Sequence, residues 1–79
     1  MKKFTLRDGD EFIRLGQVLK AAGVAGSGVE AKDMIQAGEV SVNGLEETRR
    51  GRKLYPGDMV SVSGEEIAIQ SGGLPNGEV

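Results

Sequence analysis

The chain is 79 residues long and carries 10 lysines and arginines against 12 aspartates and glutamates, a net charge of −2. A single domain of this size buries only about 60% of the surface its unfolded chain exposes, which leaves little room for a deep enzyme cleft. With neither cysteine nor histidine in the sequence, a disulfide framework, a thiolate metal site and the commonest general base are all excluded, so no catalytic residues, metal or cofactor are expected.

At the start, Lys2 to Leu6 alternates weakly, as a short strand does, and Arg7-Asp8-Gly9-Asp10 supplies turn chemistry and a helix cap at Asp8 or Asp10. The two leading lysines are not followed by an apolar run long enough for a secretory signal or a membrane span, so a cytoplasmic protein is expected. From Glu11 to Gly23, Phe12, Leu15, Val18, Leu19 and Ala22 fall on one arc at a period of 3.6, which predicts a first helix closed by Gly23. Gly16 inside it costs about 1 kcal/mol relative to alanine and points to close packing against another segment.

Ser27 followed by Glu30 is a capping-box signature for a second helix, with Ala31, Met34 and Ile35 on its apolar face and Gly38 as its stop. Val40 and Val42 then alternate as a strand into Asn43-Gly44, the strongest short hairpin signal. Tyr55-Pro56-Gly57-Asp58 reads as a turn, and Val60, Val62, Ile67 and Ile69 mark two further strands. The predicted order is strand, helix, helix, hairpin, hairpin: a small α+β domain over residues 1–70, a two-helix hairpin packed on a mostly antiparallel sheet. Residues 71–79 have too little apolar content to pack and are expected to be a disordered tail.

Between the two hairpins lies Arg49-Arg50-Gly51-Arg52-Lys53, a run without an acid in a net acidic chain. One reading is a solvated loop whose arginines pair with Glu46 and Glu47. The other is a phosphate clamp, since guanidinium forks match phosphate geometry and Gly51 lets the backbone approach closely. The sequence by itself leaves both open.

Taken in order, Arg14-Leu15, Ser27, Glu30-Ala31-Lys32, Ile35, the run Gly38 to Gly44 with its Val-Ser-Val-Asn-Gly, and Pro56-Gly57-Asp58 resemble the RNA-binding domain first named from the small-subunit ribosomal protein S-four, also called the alpha-L motif. The resemblance spans about residues 12–62 and is strongest to small stand-alone bacterial members, of the YbcJ type. It implies a non-enzymatic protein whose helix hairpin and following loop recognise structured RNA, ribosomal or transfer RNA, on or off the ribosome. Carried over position by position, it makes Arg14, Ser27, Lys32, Arg49, Arg50, Arg52 and Lys53 the candidate RNA-binding residues, with Lys20 secondary.

Each candidate also has a plainer role. Ser27 serves as an N-cap, Lys32 as a solvated helix lysine, and Arg14 can lay its stem over the core edge. The chain departs from the family pattern at Gly28, where an arginine or lysine often follows the capping serine, and at Gly16, where aspartate is common. With few aromatics, stacking on unpaired bases is not expected as the main mode, which leaves phosphate-dominated, shape-selective binding by a monomer. The alternatives are a protein-interaction module using Asp10, Glu11, Glu65 and Glu66 to dock on a ribosomal or translation protein, and a ubiquitin-like sulfur carrier ending near Gly72-Gly73.

Overall fold

A computed structural model describes residues 2–72. Its elements in chain order are β1 (Lys2–Thr5), β2 (Ile13–Arg14), α1 (Leu15–Ala21), α2 (Gly28–Gln36), β3 (Val40–Val42), β4 (Leu45–Glu46), β5 (Lys53–Leu54), β6 (Met59–Val62) and β7 (Glu65–Gln70). Five strands form one sheet in the order β1-β7-β6-β3-β4, and β2 and β5 form a separate two-stranded ladder. The α+β class with its two-helix hairpin and mostly antiparallel sheet is the one expected; β1 is the exception, running parallel to β7. None of the described helices is long and apolar enough to cross a membrane.

Local chemistry sets most of the boundaries. Ser27 is extended and its hydroxyl accepts from Glu30 N–H at 3.1 Å, which makes the first half of the expected capping box; the Glu30 carboxylate accepts from Gly26 N–H, one residue before the cap, in place of Ser27 N–H. Gly38, at φ +81°, closes α2 in the left-handed conformation that glycine adopts without strain. Asn43 and Gly44 both have positive φ, as a two-residue turn between twisted strands requires, and Ser63-Gly64 repeats this between β6 and β7.

The first helix begins later than its periodicity predicts. Asp8 and Asp10 do not cap it; Asp10 pairs instead with Arg7, and α1 starts at Leu15 with Arg14 as its extended N-cap residue. Residues 13 and 14 are drawn out because they pair antiparallel with Leu54 and Lys53. Phe12 lies before this ladder, half-buried, and not on the helical arc.

Leu15, Val18 and Leu19 of α1, Ala31 and Ile35 of α2, and Val40, Val42, Val60, Val62, Ile67 and Ile69 of the sheet join Leu54 in one buried cluster. Each of the valines, leucines and isoleucines among them contributes about 1.5–3 kcal/mol by leaving water. The opposite sheet face carries Ser41, Ser61, Glu66 and Ala68, so the helices cover one side only. Ser71 and Gly72 follow β7 without regular structure, and residues 73–79 of the expected tail lie outside the described residues.

Candidate nucleic-acid interface

The basic run is anchored to the first helix. The first N–H groups of a helix lack intrahelical acceptors; here Leu15 N–H donates to Arg52 O at 2.9 Å and Gly16 N–H to Arg50 O at 3.0 Å. Arg14 adds a third tie, its guanidinium donating to Gly51 O at 2.9 Å. The loop can come this close because residue 16 has no side chain: a methyl there would stand 2.6 Å from Arg50 Cγ. The close packing expected of Gly16 is thus against the basic loop.

The charges of the run divide into two sets. Glu47, 6% exposed, accepts from the Arg49 backbone N–H and Nε at 3.0 Å each, from another Arg49 guanidinium nitrogen at 3.2 Å, and from Arg52 at 2.8 Å. The Arg49 side-chain bonds, then that of Arg52, hold the Glu47 carboxyl at about 2, below its ordinary 4.5, although burial opposes the shift. The Arg49 guanidinium is raised in turn by the same contact. Arg50 and Lys53 have no carboxylate partner among the described residues. The solvated-loop reading therefore describes two of the four cations and leaves the other two outward and uncompensated.

Arg50 borders an open groove of about 350 Å³ lined by Arg14, Gln17, Lys20, Arg50 and the backbone at Gly16, Gly28 and Gly51. The start of α2 faces this groove at Gly28, where a Cβ would meet nothing within 4 Å. Three cations and the positive end of a nine-residue helix thus surround one concavity. A second depression, lined by Arg49, Gly51, Arg52 and Lys53, lies along the same loop.

Of the sequence candidates, Arg14, Arg50, Arg49, Arg52 and Lys53 come together on these two surfaces. Ser27 acts as the N-cap of α2, and Lys32 stands exposed on α2 without an ion pair among the described residues; neither lines the groove. Lys20 moves from a secondary position to the groove wall, and Gln17 joins it. Their spacing from Arg14, three and six residues along a helix that starts at Leu15, was the available signal.

Phe12 and Tyr55 also meet beside the loop, ring centroids 5.9 Å apart, with Lys53 Nζ 4.8 Å and Arg14 Cζ 5.6 Å from the Phe12 centroid. The signal in the sequence was an alternation, Phe-x-Arg before the first helix and Lys-x-Tyr at the end of the run.

Comparison with known proteins identifies the domain. The model of the S4 domain family matches residues 4–70. The chain is 52% identical over 54 residues, 68% of its length and 76% of the relative's, to a Bacillus subtilis (strain 168) protein named as a probable ribosome maturation protein, RlbA. It is 37% identical over 57 residues to YbcJ of Escherichia coli (strain K12), covering 72% of this chain and 81% of that one. The solution structure of Escherichia coli YbcJ, described as revealing an alpha-L motif involved in RNA binding, superposes with a TM-score of 0.66 at 34% identity, covering 89% of this chain and 87% of the other.

Proposed function

The chain belongs to the S4 domain family, and from that premise we propose that it is a non-enzymatic RNA-binding protein recognising structured RNA through phosphate contacts from the basic loop and the adjoining helix ends. The observation that carries this reading is the convergence of Arg14, Lys20 and Arg50 on one groove at the start of α2, with Lys53 beside it. Cations without carboxylate partners are the ones free to release counterions from a phosphate backbone. The ribosome maturation name of the Bacillus subtilis relative favours ribosomal over transfer RNA, and a role in ribosome assembly over one in translation elongation. The protein acts as a monomer in the cytoplasm, with Ser27 contributing through the helix it caps and Lys32 as a peripheral contact.

Fluorescence-anisotropy titration of labelled ribosomal and transfer RNA fragments at several salt concentrations tests this. Changing Arg50 and Lys53 together to alanine is expected to weaken binding and flatten the log–log salt dependence by about 0.7–0.9 per lost phosphate contact. Changing Arg49 to alanine, whose charge is already partly spent on Glu47, is expected to do less. Equal binding by the native protein and the Arg50/Lys53 variant, with the circular dichroism unchanged, would overturn the reading.

A further inference from the structure

The β2–β5 ladder has two faces. Its register pairs Ile13 with Leu54 and Arg14 with Lys53; carried one step outward, it sets Phe12 opposite Tyr55. Because side chains alternate across a strand, Ile13 and Leu54 point to the core, where Leu54 is fully buried, and Phe12, Arg14, Lys53 and Tyr55 share the outer face. Two of the three aromatic residues of the chain therefore stand together at the surface, each two residues from a cation of the proposed interface.

From this placement we propose that the outer face of the ladder is a stacking platform for an unpaired nucleotide of the bound RNA, continuous with the phosphate-binding groove. The proposal rests on the RNA-binding reading and adds to it a class of ligand, a base outside a helix. Tyr55 is the stacking surface: its side chain belongs to a large residue that remains 47% exposed, next to a net acidic protein's most basic segment.

Its backbone is fixed on both sides, Tyr55 N–H donating to the Asp58 carboxylate at 2.8 Å and Tyr55 O accepting from Asp58 N–H at 2.9 Å. The backbone that carries the ring thus loses little freedom on binding. Phe12 is the buttress, contacting the Tyr55 ring and lying under both cations. Arg14 joins the surfaces, since its side chain lines the groove, bonds Gly51 O and passes over Phe12. Every base has a π-face, so such a platform tolerates any sequence, and the adjacent lysine and arginine meet the flanking phosphates.

A cross-strand aromatic pair can also serve only to stabilise a two-stranded ladder, so the test must separate stacking from stability. The full chain is titrated with a fluorescein-labelled RNA hairpin carrying an unpaired loop and with a fully paired RNA duplex of equal length. Tyr55→Ala is expected to weaken hairpin binding roughly tenfold to a hundredfold and to leave duplex binding unchanged. Tyr55→Trp is expected to retain hairpin binding. Because the native chain has no tryptophan, the introduced indole reports alone; its fluorescence should be quenched by the hairpin and not by the duplex.

Equal weakening for both RNAs, or no change for either, would overturn the platform while leaving RNA binding intact, as would an unquenched indole in a saturated hairpin complex. A native protein that binds neither RNA would overturn the RNA-binding reading and the platform with it.

Discussion

At Gly16 a helix gives up propensity so that a loop can touch it. The absent side chain admits the Arg50 stem and lets Gly16 N–H reach Arg50 O. Gly16→Ala, at the second residue of α1, gains at most about 1 kcal/mol of helix propensity but overpacks the contact at a cost of about 1–3 kcal/mol. A net loss of stability by urea denaturation is expected, and adding Arg50→Ala should recover part of it because the clashing Cγ is then gone. If the two losses simply add, the contact does not explain the glycine.

Glu47 is the other residue on which the loop depends. Its carboxyl is held at about 2 in the folded protein against an ordinary 4.5, so the unfolded chain takes up a proton there first as pH falls. The stabilisation is full above about pH 4.5 and is lost as pH drops toward 2. Glu47→Gln should therefore be less stable than the native protein at neutral pH, by an amount on the order of the 1.5–3 kcal/mol of a charged hydrogen bond. The difference between the two should shrink across that acid range. A constant difference from neutral pH to pH 2 would show that the pairing with Arg49 and Arg52 contributes nothing.

At the scale of elements, the turns hold neighbouring strands as well as reversing the chain. Asn43 occupies a positive φ in the β3–β4 turn, while its side chain donates to Asp58 at 3.0 Å and accepts from Met59 N–H at 2.9 Å. It thereby ties the first hairpin to the start of β6. Asn43→Ala loses both bonds and strains the turn, and a drop of about 2–3 kcal/mol is expected in thermal or urea unfolding. A loss no larger than a few tenths would mean that the tie is idle.

What was legible in the sequence follows the same division between local and distant causes. The Ser27 cap, the Gly38 stop, the Asn43-Gly44 turn and the Pro56-Gly57 turn are written within a few residues of where they act, and their elements lie where expected. The start of α1 is not: Phe12 fits a helical period by coincidence, and what draws residues 13 and 14 into a strand is Leu54 and Lys53, far along the chain. The parallel pairing of β1 with β7 is equally remote. The basic run was visible as charge. Its division between Arg49 and Arg52 on Glu47 and the outward Arg50 and Lys53 depends on which carboxylate the fold buries.

For the whole molecule, a loop pinned to a helix end gives a net acidic protein a local concentration of cations around one groove. The groove cations Arg14, Lys20 and Arg50 come from a helix N-cap, a helix face and a loop, and no short window of sequence contains them all. If the groove is the RNA-binding surface proposed above, repulsion from the remaining acids disfavours contact elsewhere and orients the approach. The edge pairing of β1 has a different consequence, one of timing. In a chain made from its N-terminal end, Lys2–Thr5 is the first strand of this sheet to emerge, yet its hydrogen-bonding partner Glu65–Gln70 is the last. That first strand must wait, unpaired, while the hairpins between them form. Closing that edge is the step that brings the two ends of the domain together.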